Sequence, residues 1–133
     1  MIVAVVDTHA VIWYLSADKR LSMTAKNFLD NANRNGDQIS ISAITLIEMV
    51  YLIEKGRIPA LRFSQLVVEL NDVSSMFTET PVDLRIARAL SRIQVSQIPD
   101  MPDRIIAATG LALNVPIVSR DAKIQQSGLR TIW

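Results

Sequence analysis

The amino-terminal segment of the chain is an unbroken apolar run that ends in a carboxylate. Residues 2–6 read IVAVV, and Asp7 follows them directly. A short run of β-branched residues without polar alternation is typical of a strand buried on both faces, as in a parallel sheet. In such sheets ligands bind outside the carboxyl ends of the strands. The opening therefore predicts a parallel sheet with Asp7 at its functional edge.

Short apolar segments alternate with helical patterns along the rest of the chain. Further strands are predicted at 39–42, 76–80, 116–119 and 131–133. Helices are predicted at 10–15, 22–32, 43–55, 61–70, 83–93 and 103–113. This alternation predicts an α/β fold, in which a central parallel sheet is flanked by crossover helices. A length of 133 residues fits a single domain over 1–133.

Composition excludes several classes of protein. The chain has no cysteine, which excludes disulfides and thiolate-bound zinc and fits a reducing cytoplasm. No apolar stretch reaches the eighteen or so residues of a membrane span. With 14 basic and 13 acidic residues, net charge neither indicates nor excludes nucleic-acid binding, because local patches matter more than the sum.

Several acidic residues are expected at the same edge of the sheet as Asp7. Asp121 follows a predicted strand, and Asp103 opens a predicted helix, whose first turn lies at the same edge. Asp100 stands three residues earlier, and Glu48 interrupts the apolar run AITLIEMVYLI. A carboxylate in such a run is partly buried, which is unfavourable without a compensating partner.

Each acid also has an ordinary structural interpretation. Asp7 and Asp121 would end strands in turns, and Glu48 would pair with a distant arginine. Asp103 would face the helix dipole, and Asp100 would cap the helix, which is the favoured role for Asp100. These interpretations do not predict that the acids share one edge. Clustered carboxylates repel one another, and a divalent cation relieves the repulsion.

Oxygen ligands without cysteine or a histidine pair are typical of Mg²⁺ or Mn²⁺ sites. Such ions polarise a phosphoryl group and activate water, so the acids indicate phosphodiester hydrolysis. One alternative is a phosphatase-like enzyme with Asp7 as nucleophile, but the DxDxT pattern of such enzymes is absent from DTHAV. Another is a non-catalytic binding module with a vestigial acidic cluster.

Four parts of the sequence together resemble the PIN-domain ribonucleases, and among them the VapC toxins of toxin–antitoxin pairs. They are VVDTHAVIWYL, the buried Glu48, DRIIAATGLAL and PIVSRD. The resemblance implies a PIN-like three-layer fold and a Mg²⁺- or Mn²⁺-dependent endoribonuclease. It also implies a cognate antitoxin and a homodimer. The catalytic and metal-binding residues that it implies are Asp7, Glu48, Asp103 and Asp121, with Asp100 as an additional ligand.

Smaller polar residues accompany these acids. Thr8 and Ser119 would hydrogen-bond a carboxylate or a metal-bound water, although a strand-end hydroxyl explains them equally well. His9 is the only histidine, and a structural role is expected for it.

Basic and aromatic residues provide candidates for contacts with RNA and a partner. Arg104 and Arg120 adjoin site carboxylates, and a stripe on one helix face consists of Arg85, Arg88 and Arg92. All five would guide a phosphate backbone. The alternatives are a solvated face for the stripe and a salt bridge for Arg104. Trp13 and Tyr14 are expected in the core, or else in an apolar groove for a partner helix.

Overall fold

The computed structural model describes all 133 residues and contains one five-stranded sheet in which every pair of strands is parallel. The strands are β1 Ile2–Val6, β2 Gln38–Ser42, β3 Phe77–Thr80, β4 Ile117–Val118 and β5 Thr131–Ile132. Their spatial order is β3-β2-β1-β4-β5, so β1 is central. The helices are α1 Thr8–Leu15, α2 Met23–Asn35, α3 Ala43–Glu54, α4 Ala60–Asn71, α5 Leu84–Leu90, α6 Met101–Leu113 and α7 Ala122–Gln126.

The α/β fold and all five strands predicted from the sequence are confirmed, with shifts at the ends of elements. Helix α1 begins at Thr8 instead of residue 10, because Asp7 caps it directly after the strand. Helix α5 ends at Leu90, three residues before the predicted end. Helix α7 was not predicted, because five residues are too few for a helical period to be visible.

The sheet separates two apolar cores, which gives the fold three layers. Ala4 and Val6 of β1 belong to the core that contains α1, α2 and α4. Val5, between them, faces the other core, which contains α5, α6 and α7. Since all three side chains are fully buried, β1 is covered on both faces, as its uninterrupted apolar sequence predicted.

Helix α6 approaches the sheet closely at Gly110. A Cβ added there would lie 2.8 Å from Cγ1 of Ile117, a buried residue of β4. Glycine therefore permits this packing, which fixes the position of α6 and of the acids in its first turn. No helix is both long and apolar enough to span a membrane.

Candidate active site

Asp7 lies at the end of the central strand and is only 6 % exposed. Its Oδ1 accepts a hydrogen bond from the His9 backbone N–H at 3.0 Å, which caps α1. Its Oδ2 accepts a hydrogen bond from the Ser119 hydroxyl at 2.5 Å. Both carboxylate oxygens therefore have protein donors that fix the side chain at the edge of the sheet.

Ser119 links Asp7 to Asp121. Its Oγ donates to Asp7 and also accepts from the Asp121 backbone N–H at 3.0 Å. The Asp121 carboxylate caps α7 by accepting from Ile124 N–H at 2.9 Å. The prediction that Ser119 hydrogen-bonds a carboxylate agrees with this geometry, and the predicted turn at Asp121 is the start of a helix.

Glu48 is held by a chain of two hydroxyl groups. The Thr8 hydroxyl donates to Glu48 Oε1 at 2.5 Å, and its oxygen lies 3.0 Å from that of Thr45. Because Thr8 has one hydroxyl proton and gives it to Glu48, Thr45 must donate to Thr8. Sequence reasoning missed Thr45. The only feature of the sequence that could have indicated Thr45 is its position three residues before Glu48, on the same face of α3.

Asp100 and Asp103 belong to the start of α6. The Asp100 carboxylate accepts from the Asp103 backbone N–H at 3.2 Å and caps the helix, as was favoured from the sequence. Asp103 lies in the first turn of α6. No salt bridge involves either residue or any other acid of the site.

The five acids lie close enough together for their charges to interact. The pKa of Asp103 is raised to about 8, first by burial and then by the charges of four other acids: Asp7, Asp121, Asp100 and Glu48. Burial is also the largest cause that raises the pKa of Asp7 and that of Glu48. The salt bridge to an arginine, which was the structural alternative for Glu48, is not formed.

The donor set is suitable for a hard divalent cation, since it consists of carboxylate and hydroxyl oxygens. The pKa values are raised first by burial and, for Asp103, next by the neighbouring carboxylates, and no salt bridge neutralises this negative charge. In the described arrangement, however, no three acidic side chains are placed to hold an ion. An ion would have to draw the carboxylates closer together than they lie here.

The arginines predicted to bind RNA are found in three different settings. Arg120 is exposed and lies 4.6 Å from the centre of the Trp13 ring, in a cavity shared with Asp7 and Asp121. Arg104 donates to the carbonyl oxygens of Leu90 and Ile93 at 2.7–3.0 Å. These bonds help to end α5, and they replace the salt bridge that was the alternative for Arg104.

The three arginines of the stripe are exposed and form no salt bridge, which agrees with a solvated surface. Arg85 and Arg88 lie on α5, but Arg92 follows the end of the helix at Leu90, so it is not part of the predicted helix face. Arg85, Arg88 and Arg92 line a depression together with Leu111, near the end of α6. Leu111 is eight residues from Asp103, which is roughly 12 Å along a helix axis. The stripe thus lies beside the distal part of α6 and shares no cavity with the acids.

Comparison with known proteins shows the family. The sequence matches the PIN domain over residues 4–128, which is nearly its whole length. The chain belongs to the PIN-domain family. The resemblance inferred from the sequence motifs is confirmed by this match.

Relatives and solved structures agree with the assignment. This PIN domain is 28 % identical over 130 residues to Ribonuclease VapC22 of Mycobacterium tuberculosis, covering 94 % of this chain and 92 % of that protein. Its fold is similar to a chain of VapBC2 from Rickettsia felis, bound to a fragment of promoter DNA, with a TM-score of 0.72 and 18 % identity. It is also similar to DNA-bound VapBC from Salmonella typhimurium, with a TM-score of 0.72 and 19 % identity. Each likeness covers 98 % of this chain and 97 % of the other.

Next to the acidic site, this PIN domain has a mainly apolar depression of about 600 Å³. Trp13 and Tyr14 both line it, together with Leu21 and Met23. Trp13 is nevertheless buried, and Tyr14 donates to Asp30 at 2.7 Å. The two alternatives considered for these aromatic residues are therefore realised together, since they contribute to the core and border a groove.

Proposed function

We propose that this PIN domain is a metal-dependent endoribonuclease of the VapC type, which hydrolyses RNA phosphodiester bonds as the toxin of a toxin–antitoxin pair. The observation that carries the proposal is the gathering of four other acids around the partly buried Asp103, whose pKa is raised first by burial and then by their charges, with no salt bridge to neutralise them. A stable protein seldom keeps such an arrangement without a function. The ribonuclease relative and the PIN-domain match support the same activity.

The oxygen-only donor set favours Mg²⁺ or Mn²⁺ as the cofactor. We assign the ion to Asp7, Glu48, Asp103 and Asp121, with Asp100 as an additional ligand. A bound ion of this kind polarises a phosphoryl oxygen and activates the attacking water. The hydroxyl chain from Thr45 through Thr8 orients Glu48, and Ser119 orients Asp7. These hydrogen bonds hold two carboxylates in place before the ion and the substrate arrive.

We assign RNA contacts to the arginines predicted from the sequence, which lie at different distances from the acids. Arg120 shares the cavity of Asp7 and Asp121. The stripe of Arg85, Arg88 and Arg92 would contact more distant phosphates through its exposed guanidinium groups. The guanidinium of Arg104 donates to the backbone carbonyl groups of Leu90 and Ile93. The RNA contact predicted for Arg104 therefore depends on its remaining free N–H groups.

The protein partner in this proposal is a cognate antitoxin. The depression beside Trp13 and Tyr14 would accept an apolar helix, as helix-in-groove recognition requires. A homodimer is also part of the proposal. It is supported by exposed apolar side chains on one face of α3, at Ile47, Val50 and Tyr51. A reducing cytoplasm, which suits a chain without cysteine, is the proposed location.

The test is RNA cleavage by protein freed of any partner, with Mg²⁺, with Mn²⁺ and with a chelator. We expect cleavage only with the metal, and products with a 5′-phosphate and a 3′-hydroxyl because water is the nucleophile. Products that end in a 2′,3′-cyclic phosphate would show attack by the 2′-hydroxyl and contradict the mechanism. RNA binding without any cleavage would favour the binding-module alternative.

A further inference from the structure

The cavity at Asp7 is lined by two chemically different kinds of side chain. It has a volume of about 330 Å³. Asp7 and Asp121 contribute carboxylates, and His9, Trp13 and Arg120 contribute rings and a guanidinium group. The carboxylates suit a metal ion. Aromatic rings and guanidinium groups are the groups that bind unpaired bases and phosphates in RNA-binding proteins.

Arg120 lies on the Trp13 ring and not on the neighbouring acids. Its guanidinium carbon is 4.6 Å from the ring centre, within the range of a cation–π interaction. It forms no salt bridge, although it shares the cavity with Asp7 and follows Ser119 in the chain. Its charge and its exposed side are therefore free to interact with a ligand.

Arg20 provides an internal comparison. It also lies near the Trp13 ring, at 5.1 Å. Its guanidinium, however, donates to both carboxylate oxygens of Asp18 at 2.8 and 3.1 Å. Of the two arginines beside this tryptophan, only Arg120 retains an unpaired charge, and only Arg120 lines the cavity with the acids.

Trp13 is a rigid support for Arg120. The tryptophan is only 5 % exposed, so most of its surface is covered by the protein. Its ring packs against His9 with centroids 5.8 Å apart and against Trp133 at 6.0 Å. These contacts fix the plane on which the guanidinium rests, which reduces the entropy that Arg120 loses when it binds a ligand.

We propose that Arg120, supported by Trp13, forms a subsite for one unpaired nucleotide next to the scissile phosphate. The base stacks on the outer face of the guanidinium, and the N–H groups at its edge donate to a phosphate oxygen. The size of the cavity is at the lower end of the range for small-ligand sites, which suits a single nucleotide. This inference rests on the proposed function for the identity of RNA as substrate.

The experiment measures RNA binding separately from cleavage. Fluorescence anisotropy would compare a short single-stranded oligoribonucleotide with a ribose-phosphate chain of the same length that lacks bases. The protein carries Asp103→Asn so that the RNA stays intact, and is combined with Arg120→Lys or, as the matched control, with Arg20→Lys. Lysine retains the positive charge but loses the planar surface. Melting curves verify that all variants are folded.

We expect Arg120→Lys to weaken binding of the RNA by about 5- to 150-fold, the range for loss of one stacked base. Binding of the base-free chain should change by less than about twofold, because lysine keeps the phosphate contact. Arg20→Lys should leave both affinities unchanged. The proposal is overturned if the two lysine variants behave alike, if Arg120→Lys weakens both ligands equally, or if Asp103→Asn protein binds no RNA.

The same variants distinguish this proposal from the proposed function. If protein without substitutions cuts no RNA with Mg²⁺ or Mn²⁺ but binding still depends on Arg120 and the bases, the enzyme assignment fails and the subsite is supported. If it cuts RNA and Arg120→Lys binds like Arg20→Lys, the subsite is wrong and the enzyme assignment holds.

Discussion

Replacement of Asp103 by asparagine tests the electrostatic basis of the site most directly. The substitution keeps the shape of the side chain and removes one negative charge. In metal-free protein the folded state binds a proton at Asp103 more tightly than the unfolded chain does, since the pKa is raised to about 8 from 3.8. The free energy of unfolding should therefore decrease as pH rises from about 4 to about 8, and the loss should be complete above that range.

The size of the effect follows from the shift. A pKa difference between about 8 and 3.8 corresponds to about 6 kcal/mol if it is fully realised. Asp103 is only partly buried, so solvent screening reduces the expected value to about 1–3 kcal/mol. For a chain of this length that corresponds to a melting temperature about 3–12 °C higher for Asp103→Asn than for the parent at pH 8.5. Near pH 4 the two should be almost equal.

The assay is thermal unfolding followed by circular dichroism at several pH values, in chelator and then in Mg²⁺ or Mn²⁺. Asp37→Asn, in the turn between α2 and β2, is the control and should show no such trend. Added metal should stabilise the parent more than Asp103→Asn, because the variant lacks one ligand. A difference in melting temperature that is independent of pH would refute the raised pKa of Asp103 on which this prediction depends.

Three further predictions follow from contacts in the structure, and a fourth follows from the proposed function. Glu48→Gln should lower metal-dependent cleavage by two orders of magnitude or more, and Glu54→Gln, an exposed control on the same helix, should leave the cleavage rate unchanged. Thr45→Val removes the hydroxyl that hydrogen-bonds Thr8, the residue that donates to Glu48, so kcat should fall about 10-fold or more with little change in KM. A kcat equal to that of the parent would contradict the positioning role of Thr45. Gly110→Ala should lower the free energy of unfolding by about 1–3 kcal/mol in chemical denaturation, because its Cβ would meet buried Ile117; unchanged stability would show that this contact relaxes freely. Under the proposed function, expression of the chain alone should stop growth, and co-expression of a small antitoxin encoded beside it should restore growth. Normal growth with abundant folded protein would count against the toxin assignment.

Much of the site was predictable because it follows from topology. Asp7 and Asp121 could be placed together because the ends of parallel strands meet at one edge of a sheet. Glu48 could be recognised because a carboxylate in an apolar helix is costly without a function. In both cases a local pattern carries information about position in the fold.

The parts that were missed depend on tertiary packing. Thr45 is an ordinary helix residue until the fold brings Thr8 within 3.0 Å of it. Arg104 adjoins an acid in sequence, but its guanidinium lies on the carbonyl groups at the end of α5. Such partners come from distant parts of the chain, so the spacing of residues in the sequence gives at most a weak signal for them.

Three of the five acids also cap helices, and in the proposed function this gives them a double role that constrains how the protein can lose its activity during evolution. Asp7, Asp100 and Asp121 each accept a backbone N–H at the start of a helix. A descendant released from selection for catalysis would still need a capping side chain there, since alanine costs about 1 kcal/mol at each position. Asp103 and Glu48 cap nothing, so they would be replaced first. Under the proposed site assignment, the three caps therefore indicate an intact fold, and only the two remaining acids indicate an active enzyme.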